Sequence, residues 1–438
     1  MATAQVRRTV ASASMLTTWG ACVTDGSFDL TLPASVGDTI EAGVSLGWSN
    51  GASFCWLDVA VMVGGSPARW LSTGTGTHGG GVLAMFQCSA PDFTLASGSE
   101  FCTVQAGDLV GGTVTLRLYG KSGVAGRTLS GENDIFWAAT CESTPVSTAL
   151  SGTITTGGTL LTGSVTLPAS AGDVLCATMS GVLNPGGGFA PMDACTVNGS
   201  TPINFFTSGS STFHGGAGGW RSVITGDYQP VGGSVYYTVQ PGDIISGQVS
   251  VGVIGLTSAG TRPVDPASKL TVRKVILPFA QAKRTTAFPT NPGPTWVPLA
   301  SDGTFDVTIP AAVGSVIEVG VSMISPGGVR YCWQEAAVMV GGSPVRWLAP
   351  GTAVQPEYGI GAWFRPAQSV FANQGLTGSV LYTAQPGDVV AGGVTFRLYA
   401  KSSVATATWV STAADKPVFY AATRSVSTAR RGWGIALN

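Results

Sequence analysis

Hydrophobic and polar residues alternate along most of this chain. In TVTLRLY, residues 113–119, Val114, Leu116 and Leu118 fall on one face of an extended strand, and Thr115, Arg117 and Tyr119 on the other. YYTVQPGDIISG, from Tyr236, reads as strand, turn, strand, with Pro-Gly-Asp supplying the turn chemistry. No segment sustains the capped, 3.6-residue apolar period of a helix. Roughly eight short strands in every ~140 residues, half-buried and joined by tight turns, predict an all-β protein of antiparallel sandwiches. A jelly roll is the first expectation and an Ig-like sandwich the second.

The pattern repeats. FDLTLPASVGDTIEAGVSL from Phe28 returns as FDVTIPAAVGSVIEVGVSM from Phe305, and AVMVGGSPARWL, residues 60–71, as AVMVGGSPVRWL, residues 337–348. Both are shifted by 277 positions, and 26 of the 44 residues between Phe28 and Leu71 are identical to the later copy, far beyond chance. GTVTLRLYGKS from Gly112 and FWAAT from Phe136 likewise recur from Gly392 and Phe419. A more diverged copy lies between: VTLPASAGDVL from Val165 and TVQPGDIISG from Thr238 match segments 135 positions earlier. Three tandem domains follow, 1–143, 144–278 and 279–428, with a short tail, 429–438.

Composition narrows the setting. Only 10% of the 438 residues are charged, against about a quarter in an average soluble protein, so Thr, Ser, Gly and Ala must cover the surface. The 62 glycines and 25 prolines come with 44% apolar residues, which fits turns between strands better than disorder. A net charge of −1 without a basic run argues against nucleic acid as partner. No apolar stretch approaches the ~18 residues of a membrane-spanning helix. QVRRTVASASML imitates a twin-arginine export signal, but AQVRRT from Ala4 recurs as AQAKRT from Ala280, so it reads as mature sequence. Eight cysteines lack any CxxC pair and crowd the first half, which suggests reduced thiols and an intracellular site of folding.

Chemistry is scarce. The Gly-Gly-Ser of AVMVGGSPARWL resembles a phosphate cradle or a nucleophile turn, yet no helix follows it, and the middle copy reads VNGSTP, a hairpin signal. The only histidines, His78 and His214, sit in Gly-rich loops without the grouped ligands a metal needs. The recurring carboxylates Asp29, Glu41, Asp306 and Glu318, and the turn residues Asp108, Asp243 and Asp388, read as acceptors of backbone amides more readily than as a glycosidase pair. No catalytic, cofactor or metal residue is assigned.

The most informative polar features belong to the first and third repeats. Arg69 and Trp70 match Arg346 and Trp347. Arg117, Tyr119 and Lys121 match Arg397, Tyr399 and Lys401 on an outward strand face. The middle repeat has Asn204-Phe205 and SVGVIG instead. Arg and Tyr are enriched at interface hot spots, so these ten are the candidate partner contacts, beside the plainer reading of a solvated strand face and a third of glycan stacking on Trp or Tyr.

Tandem, Thr/Gly-rich β-domains of low charge resemble structural proteins of tailed bacteriophages, especially those of actinobacterial hosts. The resemblance implies a non-enzymatic virion component: a minor tail or tail-tip protein in assembly and host attachment, or a capsid decoration protein whose three domains imitate a trimer. It further implies other virion proteins as partners, homo-oligomerisation and a host-surface glycan as a possible target, without cofactor, nucleic acid or membrane insertion. A secreted carbohydrate-binding or glycan-degrading protein is the remaining alternative.

Overall fold

The computed structural model describes the chain except residues 12–14, 16, 50–54, 79–83, 87–93, 124–127, 130, 132, 185–189, 214–220, 223–228, 277, 285–287, 289–291, 326–331, 361–363, 366–373, 403–417 and 426–438. Cys88, His214 and the expected tail therefore lie outside the described residues.

Within residues 3–140 two sheets face one another. One orders Thr3–Arg8, Asp134–Thr140, Thr39–Ser49 and Thr94–Thr103 side by side, all antiparallel. The other orders Leu30–Pro33, Thr113–Ser122, Cys55–Val63 and Ser66–Trp70, with Gly20–Ala21 and Ala84–Phe86 prolonging its edges. Numbered along the chain, these eight strands lie in the orders 1-8-3-6 and 2-7-4-5. That is the winding of a jelly roll. An Ig-like sandwich is excluded because the first and last strands pair with each other here.

The plan recurs twice. Val146–Ala149, Lys269–Val275, Val174–Leu183 and Gln229–Thr238 form the first sheet of the middle unit, and Phe279–Lys283, Val418–Ser425, Val316–Ser325 and Gln374–Thr383 that of the last. The second sheets are built on Gln248–Gly255 with Ala190–Asn198, and on Gly393–Ser402 with Cys332–Val340.

Alternation dictates the cores. In Thr113–Ser122 every second residue is buried, and Val114, Leu116 and Leu118 meet Leu30, Leu32, Ile40, Val44, Leu57 and Val59 inside the first sandwich. The Gly-Gly tip at 64–65 joins Val63 to Ser66 as a two-residue hairpin, with φ of 59° and 82°, values that glycine adopts without a Cβ penalty. The seven described cysteines are all free thiols.

Candidate interaction surface and domain junction

The hairpin behind that tip carries Arg69 and Trp70 inward. The Arg69 guanidinium pairs with the buried carboxylate of Asp108 and donates to the Thr103 carbonyl at 2.9 Å. Asp108 also accepts the Gln105 amide at 2.8 Å, closing a one-turn 3-10 segment. Arg346 reaches Asp388 at 3.3 Å in the third domain. In the middle domain Asn204 donates to Asp243 at 2.8 Å. The Arg-to-Asn exchange therefore preserves one task, tying a hairpin to the turn beside it. Trp70 and Trp347, 7% and 4% exposed, pack on Tyr119 and Tyr399 with ring centroids 4.9 and 4.8 Å apart. Neither tryptophan offers a free face to a sugar.

The outward strand positions are occupied as well. Arg117 makes a two-pronged pair with Asp29 at 2.8 and 2.6 Å, and Arg397 does the same with Asp306. These bonds hold both arginines above their ordinary pKa. Lys121 lies 5.5 Å from the centre of the Trp56 ring; Lys401 lies over Trp333 and donates to the Glu357 carbonyl at 2.7 Å. Ser164 and Gly252 stand where the middle domain would need the Asp–Arg pair, and they line a depression of about 290 Å³. His78 pairs with Asp58 at 3.0 Å and packs against Trp19 with the rings tilted by 42°. Among the described residues no three His, Cys, Asp or Glu side chains are grouped to hold a metal ion.

Of the recurring carboxylates, Asp108, Asp243 and Asp388 cap turns as expected, each accepting the amide three residues earlier at 2.7–2.8 Å. Glu41 and Glu318 do something the sequence did not suggest. Each stands on the side of its sheet facing away from its own core, yet is only 1% exposed, because the three domains meet there. Arg424 of the third domain donates to Glu318 at 2.7 Å through Nε and to Glu41 of the first at 2.6 Å through Nη2. Arg273 of the middle domain lies 3.7 Å from Glu41 and 4.0 Å from Glu318. Ser99 and Tyr420 donate to the remaining carboxylate oxygens at 2.9 and 3.0 Å. Burial pushes the Glu41 carboxyl up, but the two arginines and Ser99 outweigh it and leave the group below its ordinary value.

The same repeat positions converge at a second height. Gly98-Ser99, Gly233-Ser234 and Gly378-Ser379 surround a cavity of about 20 Å³, room for about one water. Ser99, Ser234 and Ser379 pair within their sheets with Gly43, Thr178 and Gly320, two residues along from Glu41, Cys176 and Glu318. Equivalent residues of three domains thus meet at successive levels along the strands, which defines a pseudo-threefold axis running beside them.

The junctions close in a ring. Lys269 of the middle domain donates to the Ser72 carbonyl of the first at 2.8 Å and lies 3.8 Å from Glu100. Lys283 of the third donates to the Phe206 carbonyl of the second at 2.7 Å, near Asp193. Arg7 of the first faces Glu335 of the third, and Gln5 exchanges both amide bonds with Leu381 there, at 3.0 and 2.7 Å. Burial raises three of these acids against the pull of the bases: Glu100 and Asp193 to about 7 and Glu335 to about 8.

No family model and no curated protein matches this chain. Among solved structures it is similar to a chain from work described as "The Triple Jelly Roll Fold and Turret Assembly in an Archaeal Virus". The match has 10% identity over 91% of this chain and 83% of that one, with a TM-score of 0.19. At that score the likeness carries no argument, and the jelly-roll assignment rests on the strand order above.

Proposed function

We propose that this chain is a non-enzymatic structural protein of a virion, occupying a threefold or quasi-threefold position as a trimer built from one polypeptide. The observation that carries the reading is the closed ring of three jelly rolls about a common axis, joined through buried contacts. Jelly rolls serve as capsid and lectin domains. Threefold positions of a shell are filled by trimers, and a ring of this kind substitutes for one. The ring favours head decoration over the tail tip, and other virion proteins are the expected partners. Among the ten candidate contacts, Arg117, Lys121, Arg397 and Lys401 are the ones we place toward those partners, since they are the charged ones that keep partial exposure on strands Thr113–Ser122 and Gly393–Ser402.

Immunogold labelling of particles from cells that express the chain tests this. Label at threefold positions of the head supports the reading. Label confined to the tail tip moves the protein there, and label absent from every particle, with the chain wholly in the soluble fraction, overturns the virion role.

A further inference from the structure

In each sandwich three tight turns share one end: 34–38, the hairpin tip near 64, and 104–112, with their counterparts in the other domains. The first and third are bonded together, Gly37 to Val104 at 2.9 Å and Ala34 to Gly112 at 3.2 Å. The pseudo-threefold axis runs along the strands, so the turn ends of all three domains lie on the same side of the molecule. Five of the ten exposed large hydrophobic residues among those described sit there, at equivalent positions. Val36 and Val313 are 59% and 46% exposed; Val110, Ile245 and Val390 are 57%, 44% and 53% exposed. The sixth equivalent position is Ala171, also exposed.

The fold does not require these side chains. The first turn is closed by reciprocal bonds between Ser35 and Asp38, and in the third domain between Ala312 and Ser315. The second is closed by paired backbone bonds between Val110 and Thr113, Ile245 and Gln248, and Val390 and Gly393. Exposed turns ordinarily carry Gly, Asn, Asp or Ser. Charge there is sparse and paired. Asp108, Asp243 and Asp388 are buried, the half-buried Asp38 is bonded to its own turn, and Asp173 is bonded to its turn and neutralised by Lys274 at 2.6 Å. Rigid and apolar at three places around an axis, this end has the character of a contact face.

We propose that it docks on three protein subunits related by a threefold axis, each presenting an uncharged apolar socket to one pair of turns. The threefold repetition is what selects this occupant: a partner without that symmetry would use one patch and leave two exposed. The inference deepens the virion reading and rests on it. Simultaneous engagement of three weak contacts gives firm attachment through effective concentration.

The test uses particles that carry the chain, stripped of it by mild dissociation, and labelled purified protein that rebinds and sediments with them. Val110→Asp, Ile245→Asp and Val390→Asp are combined in one variant; Val354→Asp, exposed but outside these turns, is the control. Each patch loses about fivefold in affinity, so the triple variant rebinds about a hundredfold more weakly, while the control matches wild type. If the triple variant unfolds, Val110→Thr, Ile245→Thr and Val390→Thr keep the β-branch that suits an extended backbone, and the weakening is smaller but in the same direction. Rebinding of the folded triple variant within threefold of wild type overturns the docking face and leaves the virion role standing. Failure of wild type to rebind, with no label on intact particles, overturns both. A wild-type dimer in sedimentation that the triple variant abolishes, with particle binding unchanged, assigns the face to a second copy and overturns the proposal.

Discussion

Arg424→Met is the sharpest probe of the three-domain junction. Methionine keeps much of the volume, so the change removes charge and two hydrogen bonds more than it opens a cavity. Glu41 and Glu318 then share only Arg273, at 3.7 and 4.0 Å, too long for good hydrogen bonds. Breaking a buried ion pair by deleting one partner costs about 3–5 kcal/mol. If the 438 residues melt as one unit, the entropy of unfolding is about 0.9 kcal/mol/K, and a loss of about 4 kcal/mol lowers Tm by ~4 °C. If residues 279–425 melt alone, the same loss lowers that transition by ~13 °C. Calorimetry distinguishes the two. The pH dependence supplies a second readout. In wild type the Glu41 carboxyl is held below its unfolded value, so its contribution is present above that value and is lost as pH falls through the folded one. Without Arg424, burial dominates and the folded value rises above the unfolded one, so acidification from pH 7.5 to 5 stabilises the variant. The gap to wild type must narrow. Adding Glu318→Gln restores a one-to-one balance of Glu41 and Arg273 and recovers part of the loss. A penalty below about 1 kcal/mol, or one unchanged between the two pH values, refutes the account.

Other outcomes follow from the same geometry. A Cβ on Gly43 would lie 2.4 Å from Trp137, and one on Gly320 would lie 2.2 Å from Tyr420, so alanine at either costs about 1–3 kcal/mol by urea unfolding, whereas Gly107→Ala, with open space around it, stays within about 0.5. Arg69→Ala strands a buried carboxylate and costs about 3 kcal/mol; Arg69→Asn costs measurably less, since Asn204 performs the same task for Asp243, and equal losses would discount the tie. The raised values of Asp193 and Glu335 mean that the folded state binds protons more tightly there, so their stabilising effect is full below about pH 4 and is lost as pH rises toward 7 and 8. Denaturant midpoints for Asp193→Asn should show a flatter slope than wild type between pH 5 and 8. Burial pushes the Cys102 and Cys141 thiols up to about 12, so a thiol reagent at pH 8 should modify both slowly until denaturant is added.

The sandwich was legible because alternation reports directly on a strand's own core: Val114, Leu116 and Leu118 point inward and every neighbour between them is at least half covered. The turn aspartates were legible for the same local reason, since Asp108 bonds an amide three residues away. The junction was not, because period-2 alternation separates the inside of one sandwich from its outside and is blind to a second domain covering that outside. A signal existed. The outward positions of strand Val174–Leu183 are Cys176, Thr178 and Ser180, with no charge to keep in water, and the strand is buried almost throughout. Arg69 and Trp70 posed the opposite problem. Their residue types suit an interface, but the hairpin bends them back onto Asp108 and Tyr119, and no spacing rule encodes that bend.

The junction also explains in physical terms why three similar domains are joined in one chain. Three identical copies of the first domain would bring three glutamates from position 41 to one axis within a few ångströms, and like charges at that distance in a buried site cannot all ionise. The covalent repeat lets equivalent positions differ. Glu41 and Glu318 remain, Cys176 takes the third place, and the opposing charges come from Arg273 and Arg424, which have no basic counterpart in the first domain, where Ala139 and Cys141 occupy the corresponding strand positions. Two acids and two bases then balance where a true trimer would place three of one kind. The chain thus differs at the axis, where identity would bury like charges, and stays alike at the turn end, where Val110, Ile245 and Val390 are exposed.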